Sequence, residues 1–149
     1  MPSFADVLNT KVSDIKAAPP WPVGTYLMVV EGLPEYIDNK DQTKKGLAHK
    51  CKILQAMGDV EREKLMAWQE ETSETVVGQS IYGPASGLTF WEPNLQYLNN
   101  FYTTLGLAEF SLTMAISEAP GRQFLAVVSH RPSRDGKRIE HFVSDTKAV

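Results

Sequence analysis

The side chains best placed to do chemistry form two cation clusters. Lys44, Lys45, Lys50 and Lys52 make one, and Arg131, Arg134, Lys137 and Arg138 make the other. If 47–56 is a strand, Lys50 and Lys52 share one face at a separation of about 6.6–6.8 Å, close to the spacing of successive phosphates in an extended nucleic-acid strand. Lysines and arginines in such an array neutralise phosphates and release condensed counterions. Holding a single strand without reading its sequence also needs aromatic faces, each worth about 1–3 kcal/mol per stacked base. The aromatics near these cations are Tyr36, Trp68, Tyr82 and Phe142. Tyr36 and Trp68 are flanked by polar residues, a pattern that fits either base stacking or a place in the core. Phe90, Phe101 and Phe124 read as core residues.

Other chemistries find little support. The three histidines, His49, His130 and His141, are not at metal-ligand spacing with a cysteine or with each other. Gly83-Pro-Ala-Ser-Gly87 lacks the Lys-Ser/Thr of a phosphate loop, and there is no Gly-x-Ser-x-Gly elbow. Cys51 lies between two lysines, which favours a thiolate, but strand alternation sends it to the opposite face, as a small core residue. The glutamates of 61–74 read as a solvated face rather than paired catalytic carboxylates. The expectation is a binding protein rather than an enzyme, with no catalytic residues, metal or cofactor.

Charge is uneven along the chain. The 149 residues carry a net charge of −3, yet 38–52 holds five lysines against two aspartates, and 121–149 holds six cations against three acids. Residues 59–74 hold six acids against two cations, so the acidity sits in the middle. Fields act within about 10 Å at moderate salt, so a basic site on an acidic protein is physically reasonable. The single cysteine excludes an internal disulfide. No apolar run approaches a membrane span, and no signal peptide is visible, so a cytoplasmic protein without membrane contact is expected.

The elements that would position these groups follow from periodicity and punctuation. Residues 3–16 read as a short amphipathic segment, and Ala17-Ala-Pro-Pro-Trp-Pro22 as a rigid connector, which divides the chain into 1–19 and a domain over 20–149. Strands are predicted at 24–32, 35–38, 47–56 and 76–82. Residues 59–71 fit a solvated helix or a long loop. Helices are predicted at 92–105, stopped by Gly106, and at 111–118. A final hairpin, 122–130 and 137–144, turns at Asp135-Gly136, the pair that supplies positive φ to a tight turn. The fold class is mostly β with inserted helices: a small antiparallel barrel or curled sheet with a helix before the C-terminal hairpin.

Several segments carry a resemblance. Trp21-Pro-Val-Gly-Thr-Tyr26 enters the first strand, and a charged hairpin leads to the 50–56 strand. Gly78-Gln-Ser-Ile81, the 95–107 helix ending in Leu-Gly-Leu, and Gly121-Arg-Gln-Phe124 before the last strand pair complete the layout. Over about residues 20–144 the chain resembles tailed-bacteriophage single-stranded DNA-binding proteins with an oligonucleotide-binding (OB) barrel. The resemblance implies an OB-like fold, a host-cytoplasmic location and a role coating unwound DNA in replication or recombination. It also implies single-stranded DNA as partner, with replication or recombination proteins as further associations; separately, a free sheet edge on such a barrel suits a homodimer. The positions expected to bind DNA are Tyr36, Lys44, Lys45, Lys50, Lys52, Trp68, Arg131, Arg134, Lys137 and Arg138. The sequence 144–149 lacks the acidic tail with which bacterial single-strand-binding proteins recruit partners, so recruitment is not implied. The alternative reading is a protein-interaction module of a replication complex that does not touch DNA.

Overall fold

The computed structural model describes residues 4–9, 11–12, 18–38, 45–82, 88–89 and 92–149. In chain order the elements are α1 (Phe4–Leu8), β1 (Gly24–Asp38), β2 (Lys45–Ala56), α2 (Arg62–Thr72), β3 (Ser80–Tyr82), β4 (Leu88–Thr89), α3 (Glu92–Thr104), α4 (Leu112–Glu118), β5 (Gln123–Pro132) and β6 (Ile139–Lys147). The sheet runs β3-β2-β1-β5-β6, with β4 pairing β2 beside that path, and every strand pair is antiparallel. The protein is a mostly-β, curled OB-like half-barrel, with α3 and α4 inserted before the C-terminal hairpin. No helix among the described residues is long and apolar enough to cross a membrane.

β1 organises the sheet because it is long enough to serve two partners. Gly24 to Val29 pairs with β5, and Tyr26 to Asp38 pairs with β2. Sequence punctuation predicts two strands here, broken at Gly32-Leu-Pro34. One 15-residue strand forms instead. Gly32, at φ 57°, takes up the left-handed conformation of an irregularity between Glu31 and Glu35, where a strand tolerates Pro34. At the strand's start, a Cβ on Gly24 would meet Val60 Cγ2 at 2.6 Å, so only glycine permits that approach.

Alternation then builds the core. Tyr26, Met28 and Val30 of β1, Leu47, His49, Cys51 and Ile53 of β2, and Phe124, Ala126 and Val128 of β5 point inward and are buried. The stripe Leu98, Phe101, Tyr102 and Leu105 of α3 closes over them, with Phe101 edge-on to Phe124 at 5.3 Å. α3 ends as predicted at Gly106 (φ 81°). Gly106 N–H donates to Thr103 O at 3.0 Å, and Leu107 N–H to Tyr102 O at 2.8 Å, the two bonds of a Schellman stop. Ser111 caps α4 by accepting from Met114 N–H.

Two further expectations change, and one open alternative resolves. The strand predicted over 76–82 shortens to 80–82, because Gly78 (φ 92°) turns the chain and Gly78 and Gln79 bond Ile53 on both sides. The 59–71 segment is a helix, with Trp68 its buried residue. In the terminal turn only Gly136 has positive φ. The loop from 133 to 138 is therefore wider than a two-residue turn, organised by Asp135, which accepts from Ser133 Oγ and Lys137 N–H. Phe101 and Phe124 are core residues, whereas Phe90 lies outside the described residues.

Candidate nucleic-acid interface

On β2 the pleat separates two kinds of chemistry. Lys50 and Lys52 are exposed on the outward face, while His49, Cys51 and Ile53 are fully buried on the other. Lys50 stands opposite Glu31 of β1, its Nζ 4.0 Å from Glu31 Oε2, and Glu31 also accepts from Ser80 Oγ at 3.3 Å. Such an exposed pair is worth little in water and leaves the ammonium free to meet a phosphate. Lys52 has no ion-pair partner among the described residues. Lys45 begins β2 opposite Asp38; Lys44 lies outside the described residues.

The hairpin carries its cations differently. Arg131 Nε donates to Glu140 Oε1 at 2.9 Å, and its guanidinium sits 4.5 Å from the centre of the Phe142 ring. β5 and β6 place these three on one face, since Arg131 stands opposite Glu140, and Ser129 opposite Phe142. Arg134, Lys137 and Arg138 are exposed at the tip and make no ion pair among the described residues. A cleft of about 330 Å³ opens there, lined by Ser133, Arg134, Asp135, Arg138 and Glu140. Hydrogen bonds from Ser133 and Lys137 N–H, aided by Arg138, hold the Asp135 carboxyl below its usual range. The tip therefore keeps one carboxylate among its cations.

The expected aromatics part company. Tyr36 is 66% exposed on the second half of β1, but it stands opposite Leu47 and so lies on the inward side of the sheet, away from Lys50 and Lys52. Trp68 is 7% exposed, and its indole N–H donates to Pro19 O at 2.9 Å. It is a core and connector residue, which removes it from any base-stacking surface; the open alternative for Trp68 resolves because α2 turns it inward. Phe142, half-buried beneath Arg131, is the aromatic platform that the list of expected contacts passed over. Its signal was present in the alternation of Glu140, Phe142 and Ser144. Tyr82 lies opposite Lys50 on β3.

Register shows how the two cation groups relate. Lys52 pairs with Val29, and Val29 with Gln123, the first residue of β5. Along β5 the same face carries Leu125, Val127, Ser129 and Arg131, so Lys52 and Arg131 share the outward side of the sheet. They do not lie side by side. The hairpin tip follows the far end of β5, about 30 Å along the strand direction. A ligand touching both must run along the outside of the curled sheet.

The inward titratable groups are not available to a ligand. Burial, aided by Glu31, pushes the Cys51 thiol up to about 12, which keeps it protonated and weakly nucleophilic. Burial lowers His49 to about 4, so its ring is neutral at pH 7. His49 Nε2 shares a 2.7 Å hydrogen bond with the Tyr102 hydroxyl, while its Nδ1 has no partner. Among the described residues no three His, Cys, Asp or Glu side chains converge to hold a metal ion.

No protein-family model matches this chain, and no curated protein matches it either.

Proposed function

We propose that this protein binds single-stranded DNA with little sequence preference and performs no chemistry on it, in phage-type replication or recombination. The observation that carries this reading is the coincidence of fold and charge. OB barrels use the outward face of strands 2 and 3 and the loops between strands 1 and 2 and between the last two strands to hold oligonucleotides. In this chain the cations occupy that face of β2, at Lys50 and Lys52, and the last hairpin, at Arg131, Arg134, Lys137 and Arg138. Lys44 precedes β2 in the first of those loops, and Lys45 opens the strand.

Mechanistically, the lysines and arginines replace counterions along the backbone, so affinity falls steeply with salt. The Arg131-capped Phe142 ring offers a face for a base on the side that carries the cations. A strand spanning about 30 Å covers roughly five extended nucleotides at about 6–7 Å each, within the usual span of about 4–16 per OB barrel. The test is the shift of a labelled oligo-dT at low and raised salt. Binding at low salt that weakens steeply with salt agrees with the proposal, and no binding at low salt removes it. The second reading, an interaction module, draws on the exposed apolar side chains of Phe110, just before α4, and of Leu112 and Met114 in its first turn. It gains ground if oligo-dT does not bind.

A further inference from the structure

Two apolar features of this chain face solvent, one convex and one concave. The convex one is the N-terminal arm. α1 is five residues long, and isolated helices shorter than about 12–15 residues are marginal in water unless an apolar face is packed. Phe4 and Leu8, four apart, share a face of α1, and Val12 follows; these side chains are 79%, 67% and 85% exposed. The concave one is a groove of about 220 Å³ between α3 and α4, lined by Leu98, Tyr102, Leu107, Phe110, Leu112 and Ala115 among others. It is smaller than the about 300–1,000 Å³ of small-molecule sites and suits protruding side chains. We propose that the Phe4, Leu8 and Val12 stripe of one copy docks into the α3–α4 groove of a second copy.

Charge favours this occupant. Residues 92–118 carry Glu92, Glu109 and Glu118 and neither lysine nor arginine. Glu109 stands between Ala108 and Phe110, which both line the groove, and it has no ion-pair partner among the described residues. Arg122, the next cation along the chain, donates to Leu105 O and Glu118 O at 3.2 Å each and does not line the groove. On the arm, Lys11 lies between Leu8 and Val12 and makes no ion pair among the described residues. Seating the stripe therefore brings a lysine to an acidic rim, and covers Phe110 and Leu112 together with Phe4 and Leu8.

The arm leaves the body at a rigid root. Ala18, Pro19 and Trp21 border the seam between the end strands β3 and β6, which are not paired with each other, with Glu71 and Glu74 beside them. His130 Nε2–H donates to Trp21 O at 2.6 Å, and Trp21 N–H donates to His141 Nδ1 at 3.1 Å. The His141 ring stacks on the Trp21 indole, 4.1 Å between centres and 8° from parallel, and the Trp68 indole N–H holds Pro19 O. None of these root residues lines the groove, so the contact joins two different patches. It closes a pair only when both arms are exchanged, and otherwise runs head to tail. A stripe in a groove of this size buries less than the about 1,000 Å² of a stable interface, so the contact is weak and reversible.

The test is NMR on a concentrated mixture of two preparations without DNA. One is ¹⁵N-labelled wild type; the other is unlabelled and carries a nitroxide on Asn9→Cys. Cys51 is fully buried, so the spin label goes to the new thiol. Only contacts between copies broaden signals in this mixture. Loss of amide intensity at Leu107, Phe110 and Leu112 is expected, with the amides of β2 unaffected. Phe4→Ser with Leu8→Ser in the spin-labelled copy should remove the loss, as should Phe110→Ser in the ¹⁵N-labelled copy. Lys11→Glu should reduce it, and Lys64→Glu on the solvated face of α2 should leave it unchanged. The proposal is overturned if the groove amides keep their intensity in the mixture. It is also overturned if they lose it only when nitroxide and ¹⁵N are in the same copy, which seats the arm in its own groove, or if the loss survives the Phe4 and Leu8 substitutions. Because no DNA is present, this contact and the oligo-dT reading can each fail without the other.

Discussion

The outward sheet face and the seam beneath Trp21 are both made of aromatic rings beside charge, yet they differ in sign and in stiffness. On the sheet face the charge is positive, and the half-buried Phe142 ring carries a guanidinium 4.5 Å from its centre. At the seam the charge is negative, and the rings are locked by backbone hydrogen bonds and a parallel histidine. The difference teaches that aromatic residues near charge in a sequence are not one class. Exposure and hydrogen bonding decide whether a ring can slide between bases or can only form a wall.

The largest effect separates the two expected stacking residues. Trp68→Ala should destabilise the protein by about 3–5 kcal/mol, as for other buried tryptophans, whereas Tyr36→Ala should change stability by less than about 0.5 kcal/mol. Denaturant unfolding of both variants checks the pair, and equal losses would erase the distinction between the buried ring and the exposed one.

Next comes the inner face of β2, which should respond to pH where the outer face responds to salt. His49 titrates at about 4 in the folded chain against about 6.5 when unfolded. The unfolded state therefore binds the proton first. Stability is complete above about pH 6.5 and declines as the pH falls toward 4, by up to about 3 kcal/mol. His49→Phe should flatten that decline in pH-dependent unfolding, and an unchanged profile would assign the acid sensitivity elsewhere.

These contrasts mark what was legible in the sequence. Alternation in β2 foretold that Lys50 and Lys52 face away from His49, Cys51 and Ile53, because a half-buried strand has no other way to satisfy both sets. The end of α3 was legible because Gly106 allows the left-handed stop. Gly32-Leu-Pro34 was misread as a break, since local punctuation cannot show that partners on both sides carry a strand through an irregularity. Trp68 was undecidable locally: the acceptor of its indole N–H is Pro19 O, 49 positions away. The separation of the two cation groups was likewise hidden, because it depends on which residue of β1 serves as common partner to β2 and β5. The histidine grip on Trp21 joins residues more than 100 positions apart and leaves no local pattern.

Binding measurements sharpen the contrast further. Phe142→Ala should lower oligo-dT affinity by about 1–3 kcal/mol if its ring carries one base, and Tyr36→Ala, on the other side of the sheet, by less, as read by fluorescence anisotropy. No loss for Phe142→Ala would reduce the sheet face to a charged surface without stacking. The smallest effect is a slope: Lys50→Ala with Lys52→Ala should lower the dependence of log affinity on log salt by about 1.4, near 0.7 per phosphate released from a single strand. An unchanged slope would place phosphate contacts away from β2.

The most direct test is photocrosslinking of the wild-type protein to an oligonucleotide carrying 5-bromodeoxyuridine, with the attached peptides mapped. Crosslinks on the outward face, at Phe142, are the predicted result. Crosslinks confined to the seam, at Trp21 and Trp68, or none under conditions where the oligonucleotide binds, would contradict the account.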